Sequence, residues 1–245
     1  MNLSPADSPM RTLYVGSFVV LLALGVRATF GLFMTAMGVD MGWGRDVFSL
    51  AFAIQNLVWG AGAIFMGILA DRYGSGRTIA LGAALYALGL VGMRLATNEF
   101  SLYLTAGVLV GIGQAGITFP VILPVVARAV PPAYRSTAMG IAAAGGSMGQ
   151  FAVVPAGQVL ISSLDWTGAL WALSLLVALG APLAVFLTGR PPESRNAQTL
   201  GSAVREALGH KSFHLLFWSY SVCGFHTAFI TLHLPAYLID GGLSA

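Results

Sequence analysis

Cysteine and charge are what this sequence has least of. Cys223 is the single cysteine in 245 residues, which excludes an internal disulfide and any multi-cysteine zinc site. Only 9% of the residues are charged, against about 25% in soluble domains. With 57% hydrophobic residues and a mean hydropathy of +0.81, a water-soluble fold of this size could not hide its apolar surface, because a small body has too much surface for its volume. Lipid as the solvent removes that difficulty. The net charge of +3 lacks the one-faced clustering of Lys and Arg that marks nucleic-acid binders, so no nucleic-acid partner is expected. A paired nucleophile and base is also missing, as is a metal-ligand cluster. No enzyme chemistry, cofactor or metal is therefore expected.

What the chain has instead is long apolar runs. A spanning helix needs about 20 mostly apolar residues. Seven runs qualify: residues 12–37, 47–70, 78–96, 101–126, 137–162, 166–188 and 212–239. They do not alternate in hydrophobicity as the strands of a closed barrel would, and a barrel is the other form a bilayer permits. The first run is too long for a signal-peptide core and lacks a small-residue cleavage site, so it is expected to span. The 31 glycines suit close helix packing in lipid. The expected fold is an all-α membrane protein. Residues 1–188 form a six-helix transmembrane domain, 189–210 a polar linker with Pro191, Pro192, Glu193, Arg195, Arg205 and Glu206, and 211–245 the first helix of a second domain. The sequence stops at Ala245, after Gly241 and Gly242, where an eighth helix is expected to begin.

Basic residues in short loops set the orientation. With the N-terminus inside, the inner loops hold Arg11, Arg72, Arg77, Arg128, Arg135, Arg190, Arg195, Arg205 and Lys211, and the outer loops only Arg45. This bias predicts a cytoplasmic N-terminus.

Arg27 lies only about 4 Å past the middle of the first run at 1.5 Å per residue. The hydrocarbon half-thickness is roughly 15 Å, so its head cannot easily reach the surface. An arginine at that depth costs at least about 2.5–3.5 kcal/mol on insertion scales and should face a polar cavity. Two readings stay open. Its guanidinium can grip a carboxylate through two parallel hydrogen bonds, or it can make a structural ion pair or bond the ends of helices. In the last run His226 and His233 are seven residues apart, on one helical face. Histidine can relay protons, and it can also simply pack and hydrogen-bond. His226 is the better cavity candidate. Gln55, Asn56, Gln114, Gln150 and Gln158 read mostly as interhelical hydrogen-bond formers, with Gln114 and Thr118, one turn on, as candidates to line a cavity.

Two literal motif matches fail on context. Gly111-Ile112-Gly113-Gln114-Ala115-Gly116 fits the dinucleotide fingerprint but lies inside an apolar run with no strand before it. Close helix packing through Gly107 and Gly111 is the better reading. Gly145-Gly146-Ser147-Met148-Gly149 fits the nucleophile elbow, which needs a strand-to-helix turn that a spanning run does not offer.

The most specific segment is Gly67-Ile68-Leu69-Ala70-Asp71-Arg72-Tyr73-Gly74-Ser75-Gly76-Arg77, between the second and third runs. It resembles the signature loop of the major facilitator superfamily. The resemblance implies a six-helix, major-facilitator-type N-terminal domain made of two three-helix inverted repeats, followed by the seventh transmembrane helix, with the rest of the second domain in a missing C-terminal half. It implies a gating role for Asp71, Arg72 and Arg77, which would latch the two halves. A usually basic position is Gly76 here, which weakens that latch. Three further segments are similar to bacterial relatives of the monocarboxylate transporters and oxalate–formate antiporters: residues 27–33, residues 42–45, and Cys223-Gly224-Phe225-His226 with 233–238. The implied function is secondary transport of a small organic anion, mono- or dicarboxylate-like, by alternating access in a bacterial inner membrane, coupled to protons or to a counter-substrate. Arg27, Gln114, Thr118 and His226 are the expected substrate contacts. A transport-incompetent fragment or half-transporter is the other expectation.

Overall fold

The computed structural model describes residues 9–189 and 200–241. Among these residues all regular structure is helical. The first four apolar runs become α1 (Pro9–Met41), α2 (Arg45–Tyr73), α3 (Ser75–Arg94) and α4 (Glu99–Ala129). A helical stretch of 55 residues follows, Pro132–Phe186. At 1.5 Å per residue it is about 80 Å long, far more than the roughly 30 Å of hydrocarbon in a bilayer. It is two spans, because Asp165 breaks it with φ 57° and ψ 170°. We name them α5 (135–164) and α6 (166–186). A short helix, Leu200–Gly209, leads into α7 (Lys211–Asp240). Residues 190–199, which hold Arg190, Arg195 and the first part of the expected linker, lie outside the described residues.

Two of the spans are broken near their middles. α1 is interrupted at Thr29, between helical segments Pro9–Ala28 and Phe30–Met41, and the Thr29 hydroxyl donates to the Val26 carbonyl at 2.8 Å. α4 is interrupted at Thr118, whose backbone is extended (φ −114°, ψ −162°), and Phe119–Ala129 restarts with Pro120 in its first turn. Proline is tolerated there because its missing N–H would be unpaired in any case. The Thr118 hydroxyl donates to the Gln114 carbonyl at 2.6 Å. Both threonines are fully buried, so each hydroxyl satisfies itself on its own helix. α4 also has a π-helical stretch, Tyr103–Leu109, a form that occurs often at functional sites.

Helices in lipid gain little from the hydrophobic effect and associate through close packing. Here glycines supply it. α1 lies on α5, where a Cβ at Gly145 would sit 2.6 Å from the Ser17 carbonyl oxygen and one at Gly25 2.7 Å from that of Gly149. α4 lies on α2, where a Cβ at Gly111 would sit 2.9 Å from the Gln55 carbonyl oxygen. The pairings α1–α5 and α4–α2 exchange when helices one to three are swapped for four to six, as two three-helix repeats require. α7 packs chiefly against Phe30–Met41 of α1. Leu232 is buried there, while Phe217, Phe225 and Phe229 stay exposed.

Candidate functional site

Among the described residues Arg27 is the one buried cation. Arg27 is 5% exposed and two residues short of the break in α1. Its guanidinium lies between two aromatic faces on α2, with Cζ 4.9 Å from the Phe52 ring centroid and 5.1 Å from that of Trp59. Nη2 donates to Asn56 Oδ1 at 2.8 Å, and Nε has no partner. No carboxylate among the described residues pairs with it. Phe52, Asn56 and Trp59 stand at i, i+4 and i+7 on α2, which puts them on one helical face. That face carries all three groups that meet Arg27 of α1. Such ring contacts contribute about 0.5–2 kcal/mol each, and a hydrogen bond to a charged group about 1.5–3 kcal/mol.

A polar chain runs from this cage to the break in α4. Trp59 Nε1 donates to Thr118 Oγ1 at 3.0 Å, and Thr118 Oγ1 donates to the Gln114 carbonyl. The Gln114 side chain is fully buried, and neither end of its amide has a hydrogen-bond partner of regular geometry. The Tyr86 hydroxyl lies beside it and donates to the Ala23 carbonyl at 3.2 Å, one turn before Arg27. The structure thus brings Arg27, Gln114 and Thr118 into one neighbourhood. The sequence reading had not linked Phe52, Asn56, Trp59 or Tyr86 to Arg27.

The fourth expected contact stands apart. His226 is exposed, its Nδ1 lies 3.0 Å from the Val222 carbonyl of its own helix, and it does not line the cavity beside Arg27. That cavity, of about 1070 Å³, lies between α2 and α7 and is lined by Phe52, Asn56, Phe217, Phe225, Phe229 and His233 among others. His233 is therefore the histidine that faces it. Arg27 sits one layer behind the wall, screened by Asn56 and Phe52.

Asp71, Arg72 and Arg77 form a second group. From Asn56 to Arg72 is about 24 Å along α2 at 1.5 Å per residue, so the groups are separate. All three are exposed. Arg72 Cζ lies 5.4 Å from the Tyr73 ring, and Asp71 and Arg77 have no ion pair with a described residue. Gly74, at φ 97° and ψ 142°, alone separates α2 from α3. A side chain at that φ is strained. Ser75 anchors the turn: its N–H and hydroxyl both donate to the Gly189 carbonyl, at 3.1 and 3.2 Å, and Arg128 Nη2 donates to Ser75 Oγ at 3.0 Å. A Cβ at Gly76 would lie 2.8 Å from the Ala184 carbonyl oxygen. α3 and α6 touch at this point, so a side chain at Gly76 would force them apart. Among the described residues no group of His, Cys, Asp and Glu could hold a metal ion.

A family model described as Major Facilitator Superfamily matches residues 16–245. The chain belongs to the Major Facilitator Superfamily. Within that superfamily it resembles the monocarboxylate branch. It is 30% identical to monocarboxylate transporter 13 of Bos taurus over 234 residues, which are 90% of this chain and 52% of that protein. It is 26% identical to monocarboxylate transporter 11 of Homo sapiens, covering 83% of this chain and 42% of that one. The chain spans about half the length of these relatives. Among solved structures, a bacterial homolog of the human lysosomal transporter Spinster, inward-facing and unoccupied, superposes with a TM-score of 0.72 at 19% identity, over 99% of this chain and 58% of that one. A peptide transporter in complex with sulfate superposes with a TM-score of 0.63 at 17% identity, over 98% and 47%. These likenesses show the major-facilitator fold, which makes the chain a multi-pass membrane protein.

Proposed function

We propose that this chain supplies the first half, and one helix of the second, of a secondary transporter that moves a small organic anion, mono- or dicarboxylate-like, by alternating access. One observation carries the reading: Arg27 is buried at mid-span with no carboxylate partner among the described residues, beside a cavity of about 1070 Å³. A guanidinium there stabilises an anion strongly, because its charge and its fork of N–H donors match a carboxylate. The breaks at Thr29 and Thr118 support it. Interrupted helices in corresponding positions of two repeats are the usual mark of a transporter's binding site. Relatives named as monocarboxylate transporters, and a probable anion transporter of Arabidopsis thaliana that is 29% identical over 66% of this chain, agree with an anionic substrate.

Gating falls to the exposed Asp71, Arg72 and Arg77, which have the second half as their partner when the two halves close on that side. On this reading the Asp71 end lies with the N-terminus in the cytoplasm, which the excess of Lys and Arg on that side supports, and the membrane is a bacterial inner membrane. Residues 189–210 join the two domains. The test is uptake of labelled lactate, benzoate and oxalate by proteoliposomes holding the full-length protein. Saturable uptake of at least one, driven by a proton gradient or by the same anion inside, is the expected result. No saturable uptake or exchange of any of the three overturns the anion reading.

A further inference from the structure

The Arg27 seat is not empty. Asn56 Oδ1 occupies the place of an anion's oxygen, 2.8 Å from Nη2. The orientation of this amide is set by its two partners. Its Nδ2 donates to the Phe52 carbonyl at 2.7 Å, which can only accept, and a guanidinium can only donate. The oxygen therefore points at Arg27 and the nitrogen at its own helix. Asn56 also lines the cavity between α2 and α7, so it stands between the open space and the cation.

We propose that Asn56 is the specificity-determining gate of this site: a neutral stand-in for substrate, whose amide oxygen holds Arg27 in the unliganded protein and gives way to a carboxylate entering from the cavity. This rests on the anion-site reading of Arg27. A neutral amide suits the task for a reason of magnitude. A carboxylate at this position would neutralise Arg27 permanently, and an apolar residue would leave the guanidinium with no acceptor. An amide oxygen satisfies one N–H, leaves Nε unpaired, and is weaker than any carboxylate that competes with it. A side chain that competes with ligand lowers the apparent affinity by the fraction of sites it occupies.

The test measures binding of labelled benzoate, lactate and oxalate to the full-length protein and to its Asn56→Ala and Asn56→Asp variants, with the melting temperature of each recorded without ligand. Asn56→Ala is expected to bind the anion about three- to tenfold more tightly, since the competitor is gone. Asn56→Asp is expected to lose binding by at least about tenfold while melting no lower than the unmodified protein, since it supplies a built-in counter-ion. A tighter site after truncation is something a merely structural asparagine does not give. Three results overturn the proposal. One is Asn56→Asp binding as tightly as the unmodified protein. Another is Asn56→Ala losing affinity as fully as Asn56→Asp with normal melting, which makes Asn56 a direct ligand. The third is absence of binding by the unmodified protein, which removes the anion reading of Arg27 and this proposal with it.

Discussion

Replacing Arg27 with methionine separates the two roles open to it. The side chains are of similar length, and methionine fills irregular space well. Keeping the arginine costs at least about 2.5–3.5 kcal/mol for depth in the bilayer, and its buried, unpaired Nε adds about 1–3 kcal/mol. Against this stand one hydrogen bond to Asn56 at 2.8 Å, about 1.5–3 kcal/mol, and contacts with two rings at 4.9 and 5.1 Å, about 0.5–2 kcal/mol each. The two sides nearly cancel. Arg27→Met is therefore expected to change unfolding free energy by less than about 2 kcal/mol while abolishing anion uptake. The assays are denaturant unfolding in detergent and proteoliposome uptake on the same preparations. A structural keystone behaves otherwise, because breaking a buried charge network costs about 3–5 kcal/mol. A loss of that size, or uptake that survives the substitution, would refute the reasoning.

Other expectations follow from the packing and the turns. Gly149→Val pushes a side chain into the Leu21 backbone where α1 meets α5. It should destabilise the bundle by about 1–3 kcal/mol, read as a lower melting temperature. Asp165→Gly relieves a backbone with φ 57° and ψ 170°, and should stabilise by about 1 kcal/mol in the same assay. An unchanged or lower melting temperature would show that Asp165 is held there by something other than strain. Asp71→Asn is expected to slow uptake by about fivefold or more with anion binding unchanged, because Asp71 lies about 22 Å from Asn56 along α2.

The seven spans were legible because a membrane demands about 20 apolar residues in a row, and even the boundary between α5 and α6 at Asp165 matched the gap between runs. The family was legible from Asp71, Arg72 and their neighbours, since that loop has few other uses. Arg27 was legible by its cost. Its cage was not. Asn56 read correctly as an interhelical hydrogen-bond former, yet nothing along the chain says that its partner is 29 residues away on α1. The spacing of Phe52, Asn56 and Trp59 marks a face without saying what it meets. The break at Thr118 had a signal in Pro120, while the break at Thr29 had none. Periodicity put His226 and His233 on one face, and only the placement of α7 against α1 shows that His233 lines the cavity and His226 does not.

Binding of labelled benzoate, lactate and oxalate to the purified full-length protein and to Arg27→Met tests the central claim most directly. The expected result is saturable binding of at least one anion by the unmodified protein and none by the variant, at unchanged melting behaviour. Equal saturable binding by both proteins would contradict an anion seat at Arg27.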